Sequence, residues 1–191
     1  MTATEAVQIP GYVAATWDID PVHSDVSFTV RHMMVSKVRG QFTDFSGEIV
    51  TGSDPLDSSV TATIDLTSID TRSAQRDGHL RSADFFEVGT YPTMTYRSTG
   101  VRADGDGFIV DGELTLHGVT RPVPLTLEVN GFRPDPYGGY RAGFSATAEL
   151  NRRDFDITLN MPMDGGGMVI GDKIQIHIEI EALRRPDKTP E

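Results

Sequence analysis

Apolar and polar residues alternate along most of this chain. Val26, Phe28 and Val30 stand between Ser27, Thr29 and Arg31, and Ile174, Ile176, Ile178 and Ile180 between Gln175, His177 and Glu179. A period of two gives a strand one apolar face and one wet face. The same writing returns at Val60, Ala62 and Ile64, at Met94 and Tyr96, and at Phe108, Val110, Leu114 and Leu116. Val123, Leu125, Leu127 and Val129 repeat it, with turn signals between the runs. Many strands sharing one apolar interior predict an all-β fold: an antiparallel β-barrel of about eight strands with one or two short helices.

Parity then sorts side chains. Val26, Phe28, Val30, Ile64 and Tyr96 are expected to line the lumen, as are Leu114, Leu116, Leu125 and Leu127, and finally Phe144, Ile176 and Ile178. Thr29, Glu113, Thr126 and His177 fall on the outward parity. The run Tyr140, Ala142, Phe144, Ala146 and Ala148 is a face of mostly small side chains, which leaves volume inside a barrel unless facing residues fill it.

Three segments break the pattern. Between Gly40 and Val50, Phe42 is out of phase with Phe45 and Ile49, which calls for a bulge near Asp44. Residues 70–89 are charged, and 78–86 have room for a helix of two or three turns. Residues 160–171, with Met161, Met163, Met168 and Gly165 to Gly167, read as a mobile apolar loop. Residues 1–15 read as a flexible leader and 184–191 as a disordered tail, which leaves one domain over 16–183.

Composition narrows the class. With 191 residues, 38% of them hydrophobic, one core is expected. The formal charge of −11 argues against nucleic acid and anionic membrane surfaces as partners. There is no Cys, so no disulfide framework. No apolar run is long enough for a spanning helix and no signal-peptide pattern opens the chain, so stable membrane insertion is not expected and a cytoplasmic location is.

Chemistry is sparse. The five histidines lack HxxxH or HExxH spacing, so no metal site is expected. No G-x-S-x-G is present, Asp70, Asp77, Asp84 and Glu87 form no Ca²⁺ loop, and the triple glycine lacks the Lys of a phosphate cradle. No catalytic residue is assigned. His32 continues an inward parity to a strand end. Met33, Met34, Met161 and Met163 read as core filler or as adaptable lining at an opening, because thioethers fit varied apolar shapes. With Arg76 and His79, these five form the candidate rim or head-group set.

Several words of the chain resemble the YceI-like family, the polyisoprenoid-binding proteins. They are Trp17 to Asp20 with His23-Ser24, Val35 to Phe42, Ser68 to Thr71, Arg76 to Phe86 with Tyr91-Pro92, Gly112 to Thr120, and Asn151 to Phe155. Asp156 departs from the family's frequent glycine. The resemblance implies a lipocalin-like barrel that holds an isoprenoid lipid, of the isoprenoid quinone or polyprenyl phosphate type, with no catalysis and no cofactor. Two other readings stay open: an enzyme acting on an isoprenoid head group through His32, His79, Arg76 and Asp77, and a filled structural barrel with a protein partner. A homodimer is compatible with all three.

Overall fold

The computed structural model describes residues 8–187. Twelve strands follow one another: β1 (Ala15–Ile19), β2 (Asp25–His32), β3 (Ser36–Phe42), β4 (Phe45–Thr51), β5 (Ser59–Asp65) and β6 (Ile69–Asp70), then α1 (Ala74–Arg81). After the helix come β7 (Thr93–Asp104), β8 (Gly107–Leu116), β9 (Val119–Pro122), β10 (Leu125–Pro134), β11 (Tyr140–Asn151) and β12 (Ile170–Arg184). Every pairing is antiparallel, and β1 meets β12 to close the sheet into a barrel. The all-β, lipocalin-like reading holds.

The barrel has eight strand positions because four of them are broken in two, β9 and β10 both lying along β8. β12 pairs with β2 along Ile170 to Glu179 and with β1 along Ala182 to Arg184, so β1 and β2 share one flank of it. β3 pairs with β2 while β4 pairs with β1. β5 and β6 likewise follow β4 and β3. The sequence pattern asked for a bulge near Asp44; the chain instead stops one strand at Phe42 and starts another at Phe45. The corner is satisfied locally: Asp65 N donates to Asp44 O at 2.9 Å, and the Ser68 hydroxyl accepts from Asp44 N at 3.0 Å.

The break between β1 and β2 is fastened by charge. Asp20 N donates to Glu181 O at 2.9 Å, and Glu181 N donates to the Ser24 hydroxyl at 3.0 Å. Arg141 Nη1 reaches Asp20 at 3.0 Å and Glu181 at 2.6 Å, while its Nε donates to Asp135 at 3.0 Å. Hydrogen bonding from His23, with help from Arg141, holds the Asp20 carboxyl well down, at about 2.

The helix starts earlier than the sequence suggested. Ser73 accepts from Arg76 N at 3.3 Å and caps α1, and the Ser82 hydroxyl takes the His79 carbonyl at 2.6 Å to end it, so Ser82 to Phe86 lie in turns. At the ends of the chain, residues 1–7 and 188–191 fall outside the described part. Ile9, Tyr12 and Val13, placed in the leader by sequence, pack on the Trp17 cluster. Arg185, placed in the tail, bonds its backbone N to Thr16 O at 2.8 Å and pairs with Asp18 and Glu48.

Two glycines let aromatic rings cross the interior. A Cβ at Gly40 would sit 2.4 Å from Phe28 Cζ, and one at Gly112 would sit 2.3 Å from the Tyr96 hydroxyl and 2.9 Å from the Arg97 carbonyl. The second clash involves backbone, which cannot swing aside. Gly112→Ala should therefore cost about 1–3 kcal/mol in urea unfolding, whereas Gly78→Ala, in open space on α1, should stabilise by about 0.5–1 kcal/mol. Acid titration tests the Arg141 lock. A depressed carboxyl contributes stability that is complete above its ordinary pKa of 3.8 and is lost as pH falls through about 2. Thermal melts of Asp20→Asn should accordingly show a shallower loss of stability than the parent over that window.

Candidate functional site

A cavity of about 210 Å³ lies inside the ring. Val26, Ile64, Tyr96 and Leu114 reach it from β2, β5, β7 and β8. Leu125, Leu127, Phe144, Ile176 and Ile178 form its wall from β10 to β12. Several of these, including Leu125, Leu127, Ile176 and Ile178, are only half-buried although they point inward. The surface they keep is that of the lumen. The β11 face contributes to it: Ala146, opposite Ile178, is a small side chain on the cavity wall.

Three residues expected in the lining stand elsewhere along the barrel axis. Phe28 and Leu116 face inward but join the solid packing beneath the cavity, where the Phe28 ring lies 5.7 Å from Phe42, which is 6.2 Å from Phe86. Val30 shares Phe28's face, opposite Ile174 and Val38, and is half-buried. Parity gives the face of the sheet and says nothing of depth. Thr29, Glu113, Thr126 and His177 take the outward face, with His177 exposed.

The other end carries a plug that the sequence pattern did not reveal. Trp17 is fully buried, with its ring 5.5 Å from Phe132, and Tyr12 meets Phe132 edge-on at 5.2 Å. Trp17 Nε1 donates to Thr51 Oγ1 at 2.8 Å, and that hydroxyl donates onward to Val13 O at 2.7 Å. The Tyr12 hydroxyl donates to Gly52 O at 2.8 Å and lies 3.2 Å from Ser58 Oγ. The cavity wall reaches Tyr12, Thr51 and Ser58, whose hydroxyls turn to Gly52 O, Val13 O and one another, so the space stays apolar at this end. Only the bulge in β10 that turns Phe132 inward, between Val129 and Gly131, would have signalled the plug.

Tyr96 is the polar group deepest in the wall. Its hydroxyl donates to Val123 O at 2.9 Å, and burial pushes its pKa up, so it remains a neutral phenol. It is tied to backbone rather than left for a ligand.

The candidate rim residues do not form one cluster. Arg76 is spent on Thr71, donating from Nε to the hydroxyl and from Nη2 to the carbonyl, both at 2.7 Å. Buried Asp77 accepts from Thr71 N at 2.9 Å and its hydroxyl at 2.5 Å. His79 pairs with Asp84 at 2.8 Å and stacks edge-on against Phe85. His32 stands at the far end of β2, opposite Ser36 and Ile170. The first two residues clasp α1 to the β6 loop; His32 and His79 are each held elsewhere. A further acidic group, Asp20, His23 and Glu181, is the one convergence of metal-capable side chains among the described residues, and Arg141 already supplies its positive charge.

Met161 and Met163 sit on a flap with more order than a loose loop. Asn160 brackets Ile170 through both its amide nitrogen, at 2.7 Å to the carbonyl, and its amide oxygen, at 3.0 Å from the N–H. Val169 N donates to Met161 O at 3.1 Å and Met163 N to Gly167 O at 3.0 Å, which makes a short hairpin. Its root is Arg152, 4% exposed, which donates to the carbonyls of Gly171, Ile157 and Leu159 at 3.0, 2.8 and 2.9 Å and to Asp172 at 3.1 Å. Burial lowers its pKa, and the Asp172 carboxylate opposes that effect. The flap meets the β2–β3 turn where Met33 N donates to Val169 O at 2.8 Å.

The chain's likenesses agree with this architecture. The model of the YceI-like domain matches residues 17–182. Protein YceI of Escherichia coli is 43% identical over 152 residues, 78% of this chain and 80% of its own length. BcnA of Burkholderia cenocepacia superposes with a TM-score of 0.70 at 25% identity, over 85% of this chain and 98% of that one. A polyisoprenoid binding domain from Saccharophagus degradans, implicated in plant cell wall breakdown, shares the fold at a TM-score of 0.66 and 19% identity, covering 91% and 100%.

Replacing Arg152 by Met keeps the bulk and removes the donors, which strands buried carbonyls. Equilibrium unfolding should register a loss of about 3 kcal/mol. Hydrogen exchange should show the sharper effect, with the amides of Met163, Val169 and Ile170 losing protection before those of β11.

Proposed function

The chain belongs to the YceI-like family, and from that premise we propose that its lumen binds an amphiphilic isoprenoid lipid, of the isoprenoid quinone or polyprenyl phosphate type, without catalysis. The observation that carries the reading is the lumen itself: an apolar cavity, closed by backbone pairing all round. Such a space matches the long hydrocarbon body of a lipid. The printed description of the Saccharophagus degradans domain points the same way.

Energetics favour it. Burial of each CH₂ contributes about 0.8 kcal/mol, so a few isoprene units offset the ordering cost of binding. Selectivity for length is weak, since one methylene in an apolar pocket discriminates by only about 1–3 kcal/mol. Turnover of a lipid head group finds no support in the side chains suggested for it, since Arg76 and Asp77 bind Thr71 while His79 binds Asp84.

The test is solvent extraction of the purified protein followed by mass spectrometry, on the parent and on Phe144→Trp. The parent should yield an isoprenoid. Phe144→Trp should remain folded by circular dichroism and carry less lipid or a shorter one, because the indole takes up lumen space. A variant that melts lower by the equivalent of about 1–3 kcal/mol, with no lipid from either protein, would sink the proposal.

A further inference from the structure

One end of the barrel displays apolar side chains that nothing among the described residues covers. The β2–β3 turn exposes Met33 by 43%, Met34 by 57% and Val35 by 84%. The flap beside it exposes Met161 by 57% and Met168 by 42%, and the two are joined by the Met33–Val169 hydrogen bond. The backbone at Met33 and Met34 has φ of +49° and +60°. Glycine, asparagine or aspartate would adopt that left-handed turn at lower cost. Two thioethers are thus held outward in a conformation that fold stability alone does not favour.

Charge supplies the second observation. Arg31, Lys37 and Arg39 lie on the outward face of the same hairpin, Arg31 directly opposite Lys37, and all are exposed. Among the described residues none of the three has a carboxylate partner, whereas Arg97, Arg102, Arg141, Lys173 and Arg185 each do. Over the two tips, residues 31–39 and 160–170, these three cations face one carboxylate, Asp164. The chain's charge of −11 therefore has its sign reversed here, and screening beyond about 8 Å makes the local sign decisive.

We propose that this end of the barrel docks reversibly on an anionic phospholipid surface, with Met33, Met34, Val35, Met161 and Met168 entering the interface and Arg31, Lys37 and Arg39 meeting lipid phosphates. The spacing fits. Arg31 and Lys37 stand two to three residues behind the methionines, about 7–10 Å along a strand, and interfacial apolar groups reach about 5–10 Å into the head-group boundary. The docking is peripheral and does not depend on what the lumen holds.

Vesicle flotation tests it, with vesicles of phosphatidylcholine alone and of phosphatidylcholine mixed equally with phosphatidylglycerol. The protein should float with the mixed vesicles at low salt, remain behind with phosphatidylcholine alone, and detach as salt rises. Neutralising Arg31, Lys37 and Arg39 to Gln should weaken partitioning roughly a hundredfold, about fivefold per cation. Met33→Asn with Met34→Gly supplies preferred turn residues, so it should melt no lower than the parent and yet lose flotation. Equal flotation of that variant and the parent would overturn the proposal, as would equal recovery on both vesicle types. A parent that does not float but forms a dimer abolished by the same pair of substitutions would overturn it in favour of an interface between copies.

Discussion

The interior of this barrel is fixed by strand number and by what β11 declines to fill. Eight positions around a ring enclose a space that large side chains can pack solid or small ones can leave open. Ala146 leaves it open along one wall, while Phe28, Phe42, Leu116 and Phe155 pack it shut at one end and Trp17 with Phe132 at the other. The hollow is therefore local, bounded along the axis by rings and around it by aliphatic chains. Everything functional in the molecule follows from where that boundary falls.

Four polar side chains that enter this apolar body are each consumed. Tyr96 finds Val123 O, Trp17 finds Thr51, Asp77 holds Thr71, and the Arg152 guanidinium spends donors on three carbonyls. A buried polar group without such a partner costs far more than a satisfied one gains. The consequence is a wall that presents shape and hydrocarbon. Arg141 performs a related duty outside, joining three carboxylates across the break between β1 and β2, where the barrel's hydrogen-bond ladder is interrupted.

Much of this was legible in the sequence because parity is a local property. The alternation at Val26, Phe28, Ile176 and Ile178 gave strands, faces and the closed interior, and the small side chain at Ala146 announced spare volume. Depth along the axis was not legible: Phe28 and Val26 share a face, yet one packs in the floor and the other lines the cavity. Nor was the strand break at Thr43 and Asp44, since a bulge and a corner shift the phase alike. The flap read as loose because Gly165 to Gly167 dominate its composition, while its order comes from Asn160 and Arg152, whose partners are set only by the fold. Arg76, Asp77 and His79 looked like a chemical cluster in sequence, and local bonding to Thr71 and Asp84 disperses them.

The seam between β1 and β12 has a bearing on how the protein is made. On one flank β1 pairs with β4, but on the other Trp17 and Ile19 meet Arg184 and Ala182, so β12 must leave the ribosome before the ring can shut. During synthesis, at about 5–20 residues per second, the ring stays unclosed until that strand has emerged. Long-range pairing of this kind is slow to form. The same interval is the moment when the future lumen is most accessible, and a hydrophobic guest present then would be enclosed as the last strand docks, with no need to pass a gate.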